Sequence, residues 1–263
     1  MNQPFGLYVS IDSPLHRLNP LTKLTGLGCA IAMSFLTAGF GWATAVLLVI
    51  VPLAGLGRVA RRLLRAVLVA IAPLAIFLFG VHGFFYPGGI TPLLHLGPFT
   101  LTQEGVAFAY LILSRLTVLT SAGLLFLLTT PPAEVMADLA QRGLSPTLIY
   151  LLVSTLQLFP ELQAKAGTIL AAQRARGLET SGNLIQRSRA LLPLVVPLVL
   201  GALVDVEERA MALEARAFRA KCRKTCLLRV ADTTAERLLR RGLLVSTVVT
   251  IAWEQWHSWT SLT

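Results

Sequence analysis

The stretch GRVARRLLR, Gly57–Arg65, sets Arg58, Arg61, Arg62 and Arg65 between two long apolar runs. Upstream, Leu24–Phe40 and Gly41–Gly57 are joined through AGFGW, Ala38–Trp42, a turn without a charge. Downstream come Ala66–Phe85 and Gly105–Thr130. Each run approaches the roughly 20 apolar residues needed to cross a bilayer as a helix. The 263 residues are 55% hydrophobic and 14% charged, with a mean hydropathy of +0.70, well beyond what a water-soluble core requires. The arginine loop therefore separates the second and third of four spans, and the excess of Lys and Arg on cytosolic loops places it inside the cell. Arg17 and Lys23 precede the first span, and no Lys or Arg occurs from His82 to Glu104, so basic and neutral loops alternate and the N-terminus is cytosolic. Asp12, His16, Arg17 and Lys23 ahead of the first run do not form a cleavable leader.

From Pro131 to Arg241 the chain carries 16 of its 23 basic residues against 10 acidic ones, which keeps this region on the inner side. Two apolar runs within it, Leu144–Phe159 and Ala190–Val206, would export Lys165, Arg174, Arg176, Arg187 and Arg189 if they crossed, and Pro193 and Pro197 interrupt the second. They are expected to lie against the inner face of the membrane or on one another. The run LLVSTVVTIAW, Leu243–Trp253, follows Arg237, Arg240 and Arg241 and leads to Trp256 and Trp259; eleven residues are short for a last crossing. The expected fold is an all-α integral membrane protein. It has about four to five transmembrane helices, four of them over 1–130, a cytosolic-side helical coupling domain over 131–241 with two long Arg-tipped helices, and a short apolar C-terminal segment over 242–263 as the possible last one. The net charge of +10 belongs to this topology and not to nucleic acid.

Catalytic groupings are missing from the pattern. His16, His82, His95 and His257 fall in different loops or ends, and Cys222 and Cys226 share a helix face but supply only two of the four ligands of a structural zinc site. No phosphate-binding G-x-x-x-x-G-K-[ST] loop occurs, so ATP chemistry would have to come from a partner. The expectation is no catalytic residue, no metal and no cofactor held by this chain. Gly26, Ala30, Ser34 and Ala38 form a small-residue stripe on the first span, either for packing within the chain or for docking another membrane subunit. Arg115 lies inside the fourth span, where insertion costs roughly 2.5–3.5 kcal/mol, and is read as facing a polar groove, snorkelling, or serving a conformational change.

Two segments, AAQRARGLE at Ala171–Glu179 and ALEARAFRA at Ala212–Ala220, end helical patterns on an Ala-Arg pair. In the first, Leu162, Ala166, Ile169, Ala172 or Gln173, and Arg176 fall at three- and four-residue steps, and Gly177 supplies a stop. In the second, Val206, Ala210, Leu213 and Ala217 form the stripe, with Glu207, Glu208 and Arg209 off it. Small neighbours allow close backbone approach while a guanidinium reaches a carboxylate with two hydrogen bonds. A solvated arginine at a helix C-terminus is the plainer account of either one alone.

SPLHRLNPLTKL (Ser13–Leu24), LTTPPAEVMADL (Leu128–Leu139), LFPELQAKAGTILAAQRARGLE (Leu158–Glu179) and ALEARAFRA, in this order, resemble the transmembrane T component of energy-coupling factor (ECF) transporters, which includes the cobalt transport permease type. The resemblance implies a non-enzymatic scaffold whose coupling helices dock into two ABC ATPase subunits and whose membrane helices hold a substrate-binding S component for vitamin or transition-metal uptake, with ATP bound by the partners. Its docking motifs fall on Ala175, Arg176 and Gly177, and on Ala215, Arg216 and Ala217, where alanine replaces the second glycine. The alternatives are a pathway-forming permease of an ordinary ABC importer and a membrane-embedded lipid-linked transferase.

Overall fold

A computed structural model describes residues 11–37, 40–87, 91–96, 99–178, 184–220 and 230–260. The elements in chain order are α1 (Pro20–Leu36), α2 (Phe40–Leu56), α3 (Ala60–Phe85), β1 (Pro92–Leu96), β2 (Phe99–Thr102), α4 (Gln103–Thr129), α5 (Pro132–Gln141), α6 (Pro146–Ala175), α7 (Leu184–Ala215) and α8 (Thr234–Thr260). Among the described residues the fold is helical, apart from one short antiparallel hairpin of β1 and β2. Contacts divide the chain into a bundle unit, Gly6–Asp138 with Leu228–Thr263, and a hairpin unit built on Leu139–Leu227.

In the bundle unit, α3 and α4, of 26 and 27 residues, are long and apolar enough to cross a membrane. The helices α1 and α2 have 17 residues each, about 26 Å at 1.5 Å per residue, which is the short end of a crossing. The core lies where α2 and α4 meet: Ala43, Val46, Ile50 and Ala54 recur at helical spacing on α2 and pack with Val118, Ala122 and Leu128 of α4 and with Val59 and Leu63 at the start of α3. The end of α3 meets the start of α4 so closely that a Cβ on Gly105 would stand 2.1 Å from the His82 carbonyl oxygen. Phe108 stacks on His82 there, with ring centres 5.2 Å apart. The β-hairpin links these two ends, and Glu104 accepts from the Thr91 hydroxyl at 2.7 Å.

Most of the apolar surface of α3 faces outward, Val69, Ile76 and Phe77 among it, as expected of a helix whose solvent is lipid. Two cations of the bundle each close a neighbouring helix. Arg115 of α4 donates from Nη2 to the carbonyl of Thr37, the C-cap of α1, at 2.8 Å. Of the three readings of Arg115, this contact makes it an interior fastener: a cation closing the negative end of a neighbouring helix. Lys23 plays the matching part at the other end of the pair, its ammonium donating to the carbonyls of Thr129 at 2.9 Å and His16 at 3.1 Å.

The eleven-residue run from Leu243 is the middle of α8, which extends over 27 residues and packs on α1. Its start is a capping box: the Thr233 hydroxyl accepts from the Glu236 N–H at 3.4 Å, and Glu236 accepts from the Thr233 N–H at 3.1 Å. Just ahead, partial burial alone would raise the Asp232 carboxyl, but hydrogen bonds from Arg240 and then Arg237 hold it below the ordinary range.

Removing the Arg115 fastener leaves the Thr37 carbonyl without its charged donor, a loss of about 1.5–3 kcal/mol. Arg115→Met is expected to lower the thermal midpoint of the detergent-solubilised protein, measured by tryptophan fluorescence, whereas Arg62→Met, on an exposed side chain, leaves it unchanged.

Candidate docking site for ATPase subunits

The hairpin unit consists of two long helices that run antiparallel. Lys165 pairs with Asp205, and Glu161 with Arg209; Tyr150 meets Phe218 near one end, and Gln173 donates to the carbonyl of Pro193 near the other. That last contact has a local cause. Pro197 has no N–H to bond the carbonyl four residues back, so Pro193 offers an acceptor that the helix itself cannot use. Ser145 caps the start of α6, accepting from Leu148 N–H at 3.3 Å with Pro146 at the first helical position. The helices that contain the two apolar runs pack on one another, but in a register that sets Lys165 against Asp205 and Tyr150 against Phe218 and so does not bring the two runs together.

The half-buried stripe of α6 contains Leu162, Ala166, Ile169 and Gln173, so that Gln173 and not Ala172 continues the pattern. On α7 the structure corrects the expected stripe. Leu194, Leu198, Asp205, Arg209 and Leu213 are half-buried against α6, while Val206 and Ala210 are exposed. Arg209 was expected off the stripe because a charge reads as solvent-facing; Glu161 across the interface supplies what keeps it in. Both ion pairs remain partly solvated, and each is worth at most about 1 kcal/mol.

Both helices end in the same backbone motif. At the end of α6, the N–H of Gly177 bonds the carbonyl of Arg174 at 3.0 Å, and the N–H of Leu178 bonds that of Gln173 at 3.0 Å. At the end of α7, Ala217 N–H bonds Glu214 at 2.9 Å, and Phe218 N–H bonds Leu213 at 3.0 Å. These are paired six-to-one and five-to-two bonds, with the residue after the cap in the left-handed region: φ is +91° at Gly177 and +51° at Ala217. Alanine does not continue α7, although the sequence favours that outcome. The turn is stabilised by its two hydrogen bonds and by Phe218 folding onto Tyr150, ring centres 5.5 Å apart, and Ala217 takes up the strain of about 1–2 kcal/mol.

Arg176 and Arg216 therefore occupy the same cap position on both helices, exposed, with no acidic partner among the described residues. Ala175 and Ala215 beside them are exposed as well, so nothing bulky obstructs an approaching groove. Because the helices are antiparallel, the tips lie at opposite ends of the pair; counting about 1.5 Å per residue along the shared axis separates them by roughly 35 Å. Sequence inspection missed a third cap of this kind on α5, where Arg142 precedes Gly143 at φ +96° and Leu144 N–H bonds Leu139 at 3.1 Å. Arg142 is engaged within the chain, unlike the other two. The signal for all three is Arg-Gly-Leu or Arg-Ala-Phe closing a helical pattern.

Of the small-residue stripe on α1, Ser34 is buried and Ala30 packs on the bundle core. Gly26 and Ala30 line an apolar groove of about 380 Å³ between α1, α2, α4 and α8. Ala38 lies outside the described residues, as do Cys222 and Cys226. Among the described residues, no three His, Cys, Asp or Glu side chains converge in a way that would hold a metal.

The chain thus contains an arginine-tipped helix pair and an apolar helix bundle. The cobalt transport protein family CbiQ matches residues 12–226. The energy-coupling factor transporter transmembrane protein EcfT of Heliobacterium modesticaldum is 35% identical over 228 residues, covering 81% of this chain and 83% of its own. EcfT of Brevibacillus brevis is 31% identical over 264 residues, covering 96% and 98%. A putative ABC transporter ATP-binding protein of Bifidobacterium longum is 32% identical over 225 residues, covering 81% of this chain but 28% of its own. The chain belongs to the CbiQ cobalt transport protein family and, within it, to the T components of energy-coupling factor transporters.

The strain at Ala217 is directly measurable. Ala217→Gly is expected to raise stability by about 1 kcal/mol and Gly177→Ala to lower it by a similar amount, read as opposite shifts in the urea midpoint of helical circular dichroism at 222 nm.

Proposed function

We propose that the chain is the mechanical link between two ABC ATPase subunits, one on each arginine tip, and a separate substrate-binding S component in the membrane. The observation that carries this reading is the repetition of one cap geometry at both ends of an antiparallel helix pair. A single exposed arginine at a helix end is ordinary; two unpaired ones in identical turns, about 35 Å apart by helix rise, fit two sockets on two subunits. In each socket an acidic side chain takes the guanidinium fork with two hydrogen bonds, and the adjacent Ala and Gly let the groove walls close on backbone. The Bifidobacterium relative supports ATPase partners, since a stretch similar to this chain occurs there in a protein named for ATP binding.

The chain performs no chemistry in this reading and holds no cofactor; ATP is bound and split by its partners. The N-terminus and the α6–α7 pair face the cytosol, as the arginine loop at Gly57–Arg65 requires. When ATP draws the two subunits together, the tips are drawn with them and the helix pair shifts as a lever. The S component supplies the selectivity, for a vitamin or a transition-metal ion. It has two surfaces to meet: the apolar groove that Gly26 and Ala30 of α1 line, and the outward apolar side chains of the helix pair, such as Leu156, Phe159, Val196, Leu200 and Leu203, all exposed in the isolated chain. Exposed apolar area of this extent requires a lipid or protein cover. A pathway-forming permease would need no second arginine tip, and a lipid-linked transferase would need converging carboxylates.

The test is co-purification in mild detergent with the ABC ATPase subunits expressed from the same cell. The parent chain is expected to retain two ATPase subunits, and Arg176→Ala with Arg216→Ala to lose them, because breaking a buried Arg–carboxylate pair costs about 3–5 kcal/mol. Full retention of both subunits by the double variant would overturn the docking role, and retention of one subunit by each single variant would assign one tip to each.

A further inference from the structure

The sequence SPLHRLNPLTKL contributes nothing to the docking tips, yet it contains a buried asparagine whose amide oxygen and nitrogen are both hydrogen-bonded. Asn19 is 1% exposed. As the N-cap of α1, its Oδ1 accepts from Leu21 N–H at 2.9 Å, and this fixes the direction of the amide nitrogen. Nδ2 then donates to Asp138 Oδ1 at 3.4 Å and to the carbonyl of Ala231 at 3.2 Å. The Asn19 backbone N–H donates to Glu236 Oε1 at 2.9 Å, and its carbonyl accepts from Thr22 N–H at 3.0 Å.

The two acceptors of the amide hold particular places in the chain. Asp138 is the last residue of the bundle unit before the polypeptide enters the hairpin unit, and Ala231 follows shortly after its return at Leu228. One side chain at the first turn of α1 thus binds both connections. Asp138 is itself buried, so its carboxylate cannot exchange Asn19 for water without opening the site. At its far end, α1 is fastened by Arg115, so a displacement delivered at Asn19 acts on a rod whose other end is pinned to α4.

We propose that Asn19 is a positioning residue that transmits movement of the α6–α7 pair to α1, by holding Asp138 on α5, where the chain leaves the bundle unit, and Ala231 ahead of α8, where it returns. The proposal rests on the docking function above. Side chains that bond only one connection would pass on half of the displacement and let the other slip; the asparagine amide, with two donors and one acceptor, is the smallest side chain able to cap the helix and hold both.

The experiment uses the complete complex with its ATPase subunits in detergent and needs no knowledge of the transported substrate. Hydrogen–deuterium exchange is followed by mass spectrometry with and without a non-hydrolysable ATP analogue. In the parent, the analogue is expected to change exchange both at residues 171–178 and at residues 18–36. In Asn19→Leu the response at 171–178 persists while that at 18–36 is lost. Asn19→Asp combined with Asp138→Asn exchanges donor and acceptor across that pair but leaves the Ala231 carbonyl without its donor, and is expected to restore part of the α1 response. An undiminished response of 18–36 in Asn19→Leu overturns the proposal, and so does a parent in which 18–36 never responds. Should the leucine variant fail to assemble, the exchanged pair decides: an α1 response supports the link, and its absence refutes it. A parent that binds no ATPase, or shows no response at 171–178, instead overturns the docking reading on which the link depends.

Discussion

The carbonyl groups left over where a helix stops are the constraint that organises this molecule. Each α-helix ends with acceptors that its own ladder cannot satisfy, and in an apolar surrounding no water does it for them. Three solutions recur. Arg115 reaches across from α4 to close α1, and Lys23 reaches from α1 to close α4, so the two helices are fastened reciprocally by cations at the negative ends of their dipoles. Elsewhere the backbone turns left-handed and closes the end by itself, at Arg58 after α2, Gly143 after α5, Gly177 after α6 and Ala217 after α7. Prolines inside helices raise the same demand in the middle of a ladder, and Gln173 meets one such case at Pro193.

Function grows out of that constraint. A helix closed by its own backbone needs no side chain for the purpose, so the cap arginine is left over and can point outward. Arg176 and Arg216 have no acidic partner among the described residues, and the turns at Gly177 and Ala217 already bond the end carbonyls. Had the arginines been needed to close the helices, as Arg115 is needed at Thr37, they could not serve a partner without unravelling their own ends. The same arrangement makes the second tip different from the first: its turn is strained at Ala217 and braced by Phe218 on Tyr150, whereas the first is relaxed at glycine. The two tips share a geometry and differ in how firmly that geometry is held.

The bundle and the helix pair also differ in their cohesion. The bundle core is apolar and close-packed, with small residues on α2 letting α4 approach. The helix pair is held by partly solvated ion pairs and a thin stripe of apolar contacts, and its large side chains face away from the contact. Such a pair has low intrinsic cohesion and a large demand for external cover, suited to an element that is completed by its neighbours and displaced by them.

Composition, charge placement and the spacing of Ala-Arg pairs are local properties, and they were enough to give the membrane class, the apolar helices and the two arginine-tipped helix ends. Each follows from one stretch of chain responding to its solvent, whether lipid or water. What only the tertiary structure decided are properties of pairs far apart in sequence. Alanine at 217 reads as helix until Phe218 finds Tyr150, 68 residues away. Arg209 reads as solvated until Glu161 stands opposite, Arg115 reads as an expense until Thr37 needs it, and Asn19 reads as a plain N-cap until Asp138 and Ala231 arrive beside it. A polar side chain declares its own hydrogen-bonding capacity in the sequence, but the partner that uses the capacity is chosen by the fold.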